Sequence, residues 1–287
     1  MLDAGPVSAG RAARGTSTPL DEPGRGSRGT LSQMSRTLLR SGRRPEPLSA
    51  GASASGPGRA RRLLRAAAAA AATAASVLAV GLFVRDAWEP LVRFDERTVH
   101  AAVRFASQHP ALVDALNAWQ WAFEGRRIVV VVVGACLLVW WRTGMKTRTW
   151  WALATALGAW GFANLAKEVA RLARPVLDEP LSHASGYSFP SGHASTTAAW
   201  STVLVVLVWP LLRTRAAKAL AVTGTGLLVV LTALDRVLLG AHFPSDVLAG
   251  TVLGVGLVLA SYLGYRGWSP DDSAPTGSSV HSTQEAR

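Results

Sequence analysis

Three short segments of this chain gather the residue types that handle phosphate. In Lys167-Glu-Val-Ala-Arg-Leu-Ala-Arg174-Pro175 the outer cations lie seven residues apart. On a helix that spacing stacks them on one face, so both can address one anion, with Arg171 on the same stripe. Cations at a helix end also snorkel to the membrane interface, and that reading stays open beside the first. Further on, Ser188-Phe-Pro-Ser191-Gly192-His193 runs straight into an apolar block. The N–H groups of Gly192 and His193 would then sit at a helix N-terminus, aimed at an anion, with glycine allowing close approach. The same residues also make an ordinary turn and helix start. The third segment, Asp235-Arg236-Val-Leu-Leu-Gly-Ala-His242-Phe-Pro-Ser-Asp246, adds a cation, an imidazole and a carboxylate four residues after it. His242 and Asp246 can hydrogen-bond across a helix start, where Pro244 suits the first turn; a structural His–Asp cap is the alternative.

The elements that must position these residues are apolar blocks at roughly 64–84, 127–141, 149–166, 192–212, 217–234 and 246–264, most of them near the ~20 residues that cross a bilayer. They predict an all-α fold, a polytopic membrane helical bundle of about six transmembrane helices. Between the first two blocks, a stretch over about 86–125 mixes acids such as Asp95 and Glu96 with Arg97, Arg104 and scattered apolar residues, and reads as an amphipathic surface segment. Residues 1–62 are rich in Gly, Ser, Pro and Arg without apolar period and read as a disordered cytoplasmic tail. The domain proper spans 63–265, and 266–287 reads as a second disordered tail. The first apolar block starts too far along for a cleaved signal peptide and reads as a retained anchor, and Met34 is an alternative start.

Basic residues set the orientation. Residues 1–65 hold twelve Arg against four acids; Arg142, Lys146 and Arg148 join the second and third blocks, and Arg213, Arg215 and Lys218 the fourth and fifth. All fall on one side of a six-span arrangement, which is expected to be cytoplasmic with both termini; the three phosphate-handling segments fall together on the other. The net charge of +12 therefore reads as a topology signal or a contact with anionic lipid, and no nucleic-acid module accompanies it. Cys136, the one cysteine, excludes an intramolecular disulfide and a thiolate metal site.

Taken together, the three segments resemble the type 2 phosphatidic acid phosphatase family, which includes the vanadium haloperoxidases and whose motifs are K-x6-R-P, P-S-G-H and S-R-x5-H-x3-D. Lys167–Arg174–Pro175, Pro190–Ser191–Gly192–His193 and Arg236–His242–Asp246 match in order and internal spacing, over an organisation covering roughly residues 90–265. One position departs: Asp235 stands where the family usually has Ser, and a carboxylate there either pairs with Arg236 or points away.

The resemblance implies roles. His242 would attack phosphorus and form a phosphohistidine while Asp246 fixes its tautomer. Lys167, Arg174 and Arg236, with Ser191 and the N–H groups near Gly192, would bind the phosphoryl oxygens, and His193 would protonate the leaving oxygen and later activate water. Three cations and few carboxylates imply a site that works without a metal or other cofactor. The expected substrate is a lipid or prenyl phosphate or pyrophosphate, such as undecaprenyl pyrophosphate, phosphatidic acid or phosphatidylglycerol phosphate, in the outer leaflet of the cell membrane. The loop from Val176 to Tyr187 and the amphipathic stretch are expected to shape the choice. A catalytically weak or inactive lipid-phosphate-binding protein is the alternative that Asp235 keeps alive; haloperoxidase chemistry belongs to soluble relatives. Oligomeric state is not legible.

Overall fold

The structure, a computed structural model, describes residues 57–177, 181–182 and 185–266. The segments read as tails, apart from residues 57–62 and Arg266, together with Met34 and part of the loop between Val176 and Tyr187, lie outside the described residues. Among those described there are eight α-helices and no strand. Helix α1 is Pro57–Arg85, α2 Glu89–Ser107, α3 Pro110–Ala122, α4 Gly125–Thr143, α5 Lys146–Ala170, α6 Gly192–Val208, α7 Arg215–Leu238 and α8 Pro244–Tyr265. Pro57–Arg62 thus belongs to the first helix. The stretch read as one amphipathic segment is two helices, parted just before Pro110, which opens α3 at the position where a missing N–H costs nothing.

Helices α1, α6, α7 and α8 are long and apolar enough to cross a membrane by length and composition; α4 and α5, at the second and third expected spans, are not in that set. The outward faces nonetheless carry large apolar side chains throughout. Val130, Leu137 and Trp141 on α4, Trp150, Leu157 and Leu165 on α5, and Leu220, Leu227 and Leu234 on α7 are all exposed. Such surface is costly in water and suits hydrocarbon.

Helix α6 is the centre. It buries Ala194 through Ser201 and packs against α4, α5, α7 and α8. Small residues allow the close approach. On α5, Ala152, Ala156, Ala159 and Ala163 form a buried stripe at helical spacing, and Trp200 of α6 donates its indole N–H to the Ala156 carbonyl at 3.0 Å. On α8, a Cβ at Gly250 would lie 2.5 Å from the Ser191 carbonyl, and one at Gly254 would lie 2.9 Å from Ala199 N. Only glycine fits where two backbones meet at that range. The far end of α6 is closed by Arg148, expected from sequence as a topology-setting cation. It is fully buried, and its guanidinium donates to the carbonyls of Leu207 at 3.2 Å and Val206 at 2.6 Å, where a cation suits the helix dipole.

At the other end, α2 packs on α7 and α8. Asp95, Val99, Val103 and Ala106 form its buried stripe. The Asp95 carboxylate accepts from Ser245 N at 3.0 Å and from the Ser245 hydroxyl, tying α2 to the first turn of α8. Burial pushes the Asp95 carboxyl above its usual range, against the lowering effect of those hydrogen bonds.

Candidate active site

The three segments meet where α5 ends, α6 begins and the α7–α8 turn closes. Helix α5 stops at Ala170 because Arg171 takes a left-handed conformation, φ 50°. Two expectations change here. Lys167 and Arg174 do not share a helical face, since Arg174 lies beyond the helix end, and the exposed Arg171 turns its Nε back onto the Glu168 carbonyl, away from the others. Lys167 and Arg174 converge all the same, through the loop before α6: Lys167 Nζ donates to the Tyr187 carbonyl at 2.9 Å and Arg174 to the same oxygen at 3.3 Å. Arg174 also donates to the carbonyls of Ser185, Gly186 and Ala241, which hold its guanidinium in one pose.

Gly192 opens α6. A Cβ there would press on Lys167 Cε at 3.3 Å, so glycine keeps the lysine beside the helix start. The backbone N–H of Ser191 donates to the Asp246 carbonyl at 2.9 Å, which fixes the second segment against the third. Ser191 Oγ and His193 Nε2 are buried with no partner among the described residues, two polar atoms at a helix N-terminus that an oxyanion can satisfy.

His242 is buried in the turn between α7 and α8. Its Nε2 lies 3.2 Å from an Arg174 guanidinium nitrogen, and since arginine is always a donor, Nε2 is the acceptor and Nδ1 carries the proton. The expected hydrogen bond to Asp246 is long, 3.5 Å from Nδ1 to Oδ2. Between them sits the Ser188 hydroxyl, 3.2 Å from Nδ1 and 2.5 Å from the carboxylate oxygen. With the serine donating to Asp246, Nδ1–H donates to the serine, and the tautomer is fixed through it. Asp246 also accepts from Phe243 N at 2.9 Å. Burial lowers the His242 pKa to about 4, offset in part by Asp246, so the imidazole is neutral at pH 7.

Asp235 pairs with Arg236: the carboxylate accepts from Arg236 Nε at 2.7 Å and from a terminal nitrogen at 2.5 Å, with both residues buried. Of the two arrangements open in the sequence, this is the one formed. Among the described residues, no group of three or more His, Cys, Asp or Glu is placed to hold a metal ion.

Sequence reasoning missed Ser188 and Asp95 as parts of the site. Ser188 stands within the second segment, but no spacing rule links it to an imidazole in the third; Asp95 meets Ser245 across 150 residues. Two clefts adjoin the cluster. One of about 320 Å³ is apolar, lined by Val77, Gly81, Phe162, Val169 and Leu253, and reaches Phe189 beside the second segment. The other, about 440 Å³, brings Glu96 and His100 of α2 to Arg174 and Phe243.

The fold and site define an all-helical membrane protein with a buried, cation-rich cluster around a neutral histidine. The model of the PAP2 superfamily matches residues 148–269, which take in all three segments. Phosphatidylglycerophosphatase B of Escherichia coli K12 is 37% identical over 83 residues, 29% of this chain and 31% of that protein. Decaprenylphosphoryl-5-phosphoribose phosphatase of Mycobacterium tuberculosis is 37% identical over 150 residues, 48% of this chain and 72% of that protein. The chain belongs to the PAP2 superfamily. It matches about a third of the length of its phosphatidylglycerophosphatase B relatives from Escherichia coli. A crystal structure of a transmembrane PAP2 type phosphatidylglycerolphosphate phosphatase from Bacillus subtilis shares the fold, with a TM-score of 0.60 at 23% identity, over 67% of this chain and 93% of that one.

Proposed function

We propose that this protein is a membrane phosphatase that hydrolyses a lipid or prenyl phosphate or pyrophosphate through a phosphohistidine on His242, without a metal. The observation that carries this reading is the buried imidazole with its Nδ1 proton engaged by Ser188 and its Nε2 lone pair turned to Arg174. A neutral imidazole in that tautomer is a nucleophile, and the guanidinium beside it is placed to take a phosphoryl oxygen.

In this mechanism Lys167, Arg174 and Arg236 gather the phosphoryl oxygens, with Ser191 Oγ and the first N–H groups of α6. His242 Nε2 attacks phosphorus and the bond to the leaving oxygen breaks, while His193 gives that oxygen a proton. Ser188 and Asp246 stabilise the positive charge on the phosphorylated imidazole. His193 then takes a proton from water, the hydroxide attacks phosphorus, the N–P bond breaks and inorganic phosphate leaves. The cations supply the charge that Mg²⁺ supplies in other phosphoryl-transfer sites.

The apolar cleft at Phe189 supports a substrate with a hydrocarbon tail, and the cleft shared by α2 and Arg174 supports a headgroup choice made by that helix. The names of the relatives, one acting on a phosphatidylglycerophosphate and one on a decaprenyl sugar phosphate, fit both classes. We read the chain as crossing the bilayer about six times, with termini cytoplasmic and the site outside. Lys146 and Arg215, at the starts of α5 and α7, and His242 lie at opposite helix ends, as the positive-inside rule requires of that orientation.

The Asp235–Arg236 pair favours a second reading, a protein that binds lipid phosphate with little turnover, because the carboxylate competes for the cation. One experiment separates the two: phosphate release by purified protein in EDTA over a panel of prenyl and glycerolipid phosphates, for wild type and His242→Ala. Turnover lost in the variant is the expected result. Binding without release in both proteins overturns the enzyme reading, and turnover restored only by Mg²⁺ overturns metal independence.

A further inference from the structure

The end of the bundle away from His242 holds a second cation-lined cleft that the phosphatase reading does not use. Helices α1 and α8 each run from one end of the bundle to the other. Gly81, near the end of α1, lies against Phe189 at the catalytic site, so Arg59 and Arg62 at its start lie at the opposite end. Likewise α8 starts at the site and ends at Tyr265. Between these ends and the first turns of α5 is a cleft of about 750 Å³, lined by Arg59, Arg62, Trp150, Trp151, Ser261 and Tyr265 among others, none of them acidic.

Two kinds of observation point to an anion there. Helices α1 and α5 both begin at this cleft, so their N-terminal N–H groups and the two arginines give it one sign of charge. Independently, Tyr265 is 7% exposed, and its buried hydroxyl has no hydrogen-bond partner among the described residues. Arg62 Nε, in the same lining, is also buried and unpaired. A buried hydroxyl and a buried guanidinium nitrogen left without acceptors are costly, and one bound phosphate oxygen acts as acceptor for such donors. The Tyr265 ring is fixed by stacking on Trp151, with centroids 5.1 Å apart.

The apolar half of the ligand is equally defined. The cleft shares Trp151, Ala154 and Ser261 with a neighbouring hollow of about 530 Å³, lined by Ala66, Ala70, Phe162 and Leu257, which continues between α1 and α5 towards the membrane centre. A cationic mouth leading into a hydrocarbon-lined groove fits an amphiphile and not a free ion. We propose that this cleft binds an anionic phospholipid of the adjacent leaflet, its phosphodiester held by Arg59, Arg62 and the Tyr265 hydroxyl and one acyl chain laid between α1 and α5.

The test needs no turnover, so it stands or falls separately from the phosphatase reading. Thermal unfolding of the full chain in a non-ionic detergent is followed while dioctanoyl phosphatidylglycerol, dioctanoyl phosphatidylcholine or inorganic phosphate is titrated in. Phosphatidylglycerol is expected to raise the Tm of wild type and of His242→Ala alike and phosphatidylcholine to leave it unchanged, while the shift with inorganic phosphate, which belongs to the cations around His242, is the same with or without Arg59 and Arg62. The Arg59→Gln/Arg62→Gln double variant is expected to lose the shift. Tyr265→Phe, which removes one oxygen and keeps the stack on Trp151, is expected to need about fivefold more lipid for the same shift, the worth of one hydrogen bond. An equal shift with phosphatidylcholine, or a shift with inorganic phosphate that the Arg59→Gln/Arg62→Gln double variant abolishes, overturns the proposal. So does a double variant that responds to phosphatidylglycerol as wild type does; should that variant not fold, an unchanged response of Tyr265→Phe overturns it instead.

Discussion

Ser188 Oγ lies 3.2 Å from His242 Nδ1, closer than the 3.5 Å that separates the imidazole from Asp246. The serine is fully buried and donates to the carboxylate, so the link from histidine to aspartate passes through a hydroxyl. Ser188→Ala is expected to lower kcat about tenfold with KM nearly unchanged, the loss of one hydrogen bond that strengthens as the imidazole gains charge. Ser188→Thr, which keeps the hydroxyl, is expected to recover part of that loss. A purely structural serine would show equal defects in both variants, in proportion to their loss of Tm.

The burial of His242 makes a pH prediction with a definite sign. Its folded pKa, about 4, lies below the ordinary value of 6.5, so between those values the unfolded chain binds the proton more readily. The stability associated with the neutral ring is complete above pH 6.5 and is lost as pH falls through 4. Tm measured from pH 7 down to pH 4 should therefore fall more steeply for wild type than for His242→Gln, which has no proton to gain. Parallel curves would show that the ring is not held neutral by its surroundings.

Asp235 and Arg236 are buried together, and separating them has two expected effects of opposite direction. Asp235→Ser, which restores the residue usual in the family, leaves a buried guanidinium without its counter-ion and should cost about 3 kcal/mol of stability. The freed cation should then bind phosphate more tightly, lowering KM about fivefold and increasing the rise in Tm on adding inorganic phosphate. A higher KM in this variant would mean that the carboxylate aims the guanidinium at the substrate.

Asp95 connects the surface helix α2 to the first turn of α8 through both donors of Ser245. Asp95→Ala removes both acceptors and is expected to cost about 1–3 kcal/mol. Activity should fall with it, because Asp246 is the next residue along. Asp95→Asn keeps one acceptor and should lie between the two, by melting curves and by phosphate release.

At Gly250 a single methyl group is expected to be enough to disable the site. Its Cβ would meet the Ser191 carbonyl at 2.5 Å, so Gly250→Ala must push α8 from the start of α6. Gly161→Ala on α5, which meets nothing within 4 Å, serves as the control and should retain full phosphate release.

Much of the candidate site's geometry was legible because its spacings are local. Arg236 lies in the last turn of α7, His242 in the turn that follows and Asp246 in the first turn of α8, and Gly192 with His193 names a helix N-terminus from sequence alone. What failed were readings that assumed regular geometry or a single role. Lys167 and Arg174 have helical spacing, but a left-handed residue at 171 ends the helix between them. Arg148 counts as a basic loop residue, yet it closes the far end of α6. Ser188 and Asp95 could not be assigned at all, since each acts through a partner more than fifty residues away. The apolar blocks located the long helices, while the break between α2 and α3 rests on Pro110, a residue that did not stand out in a stretch read as one amphipathic segment.

The close backbone approach of α6 and α8 at Gly250 and Gly254 has a consequence for how such a protein can change over time. The distance from Ser191 to Asp246 is set by main chain against main chain, so side-chain turnover elsewhere leaves the reaction centre in place. The cleft that Glu96 and His100 of α2 share with Arg174 and Phe243 is built differently, from side chains that lean on that frame. Side chains lining that cleft can therefore change in size and charge without moving the main chain that holds Ser191 against Asp246.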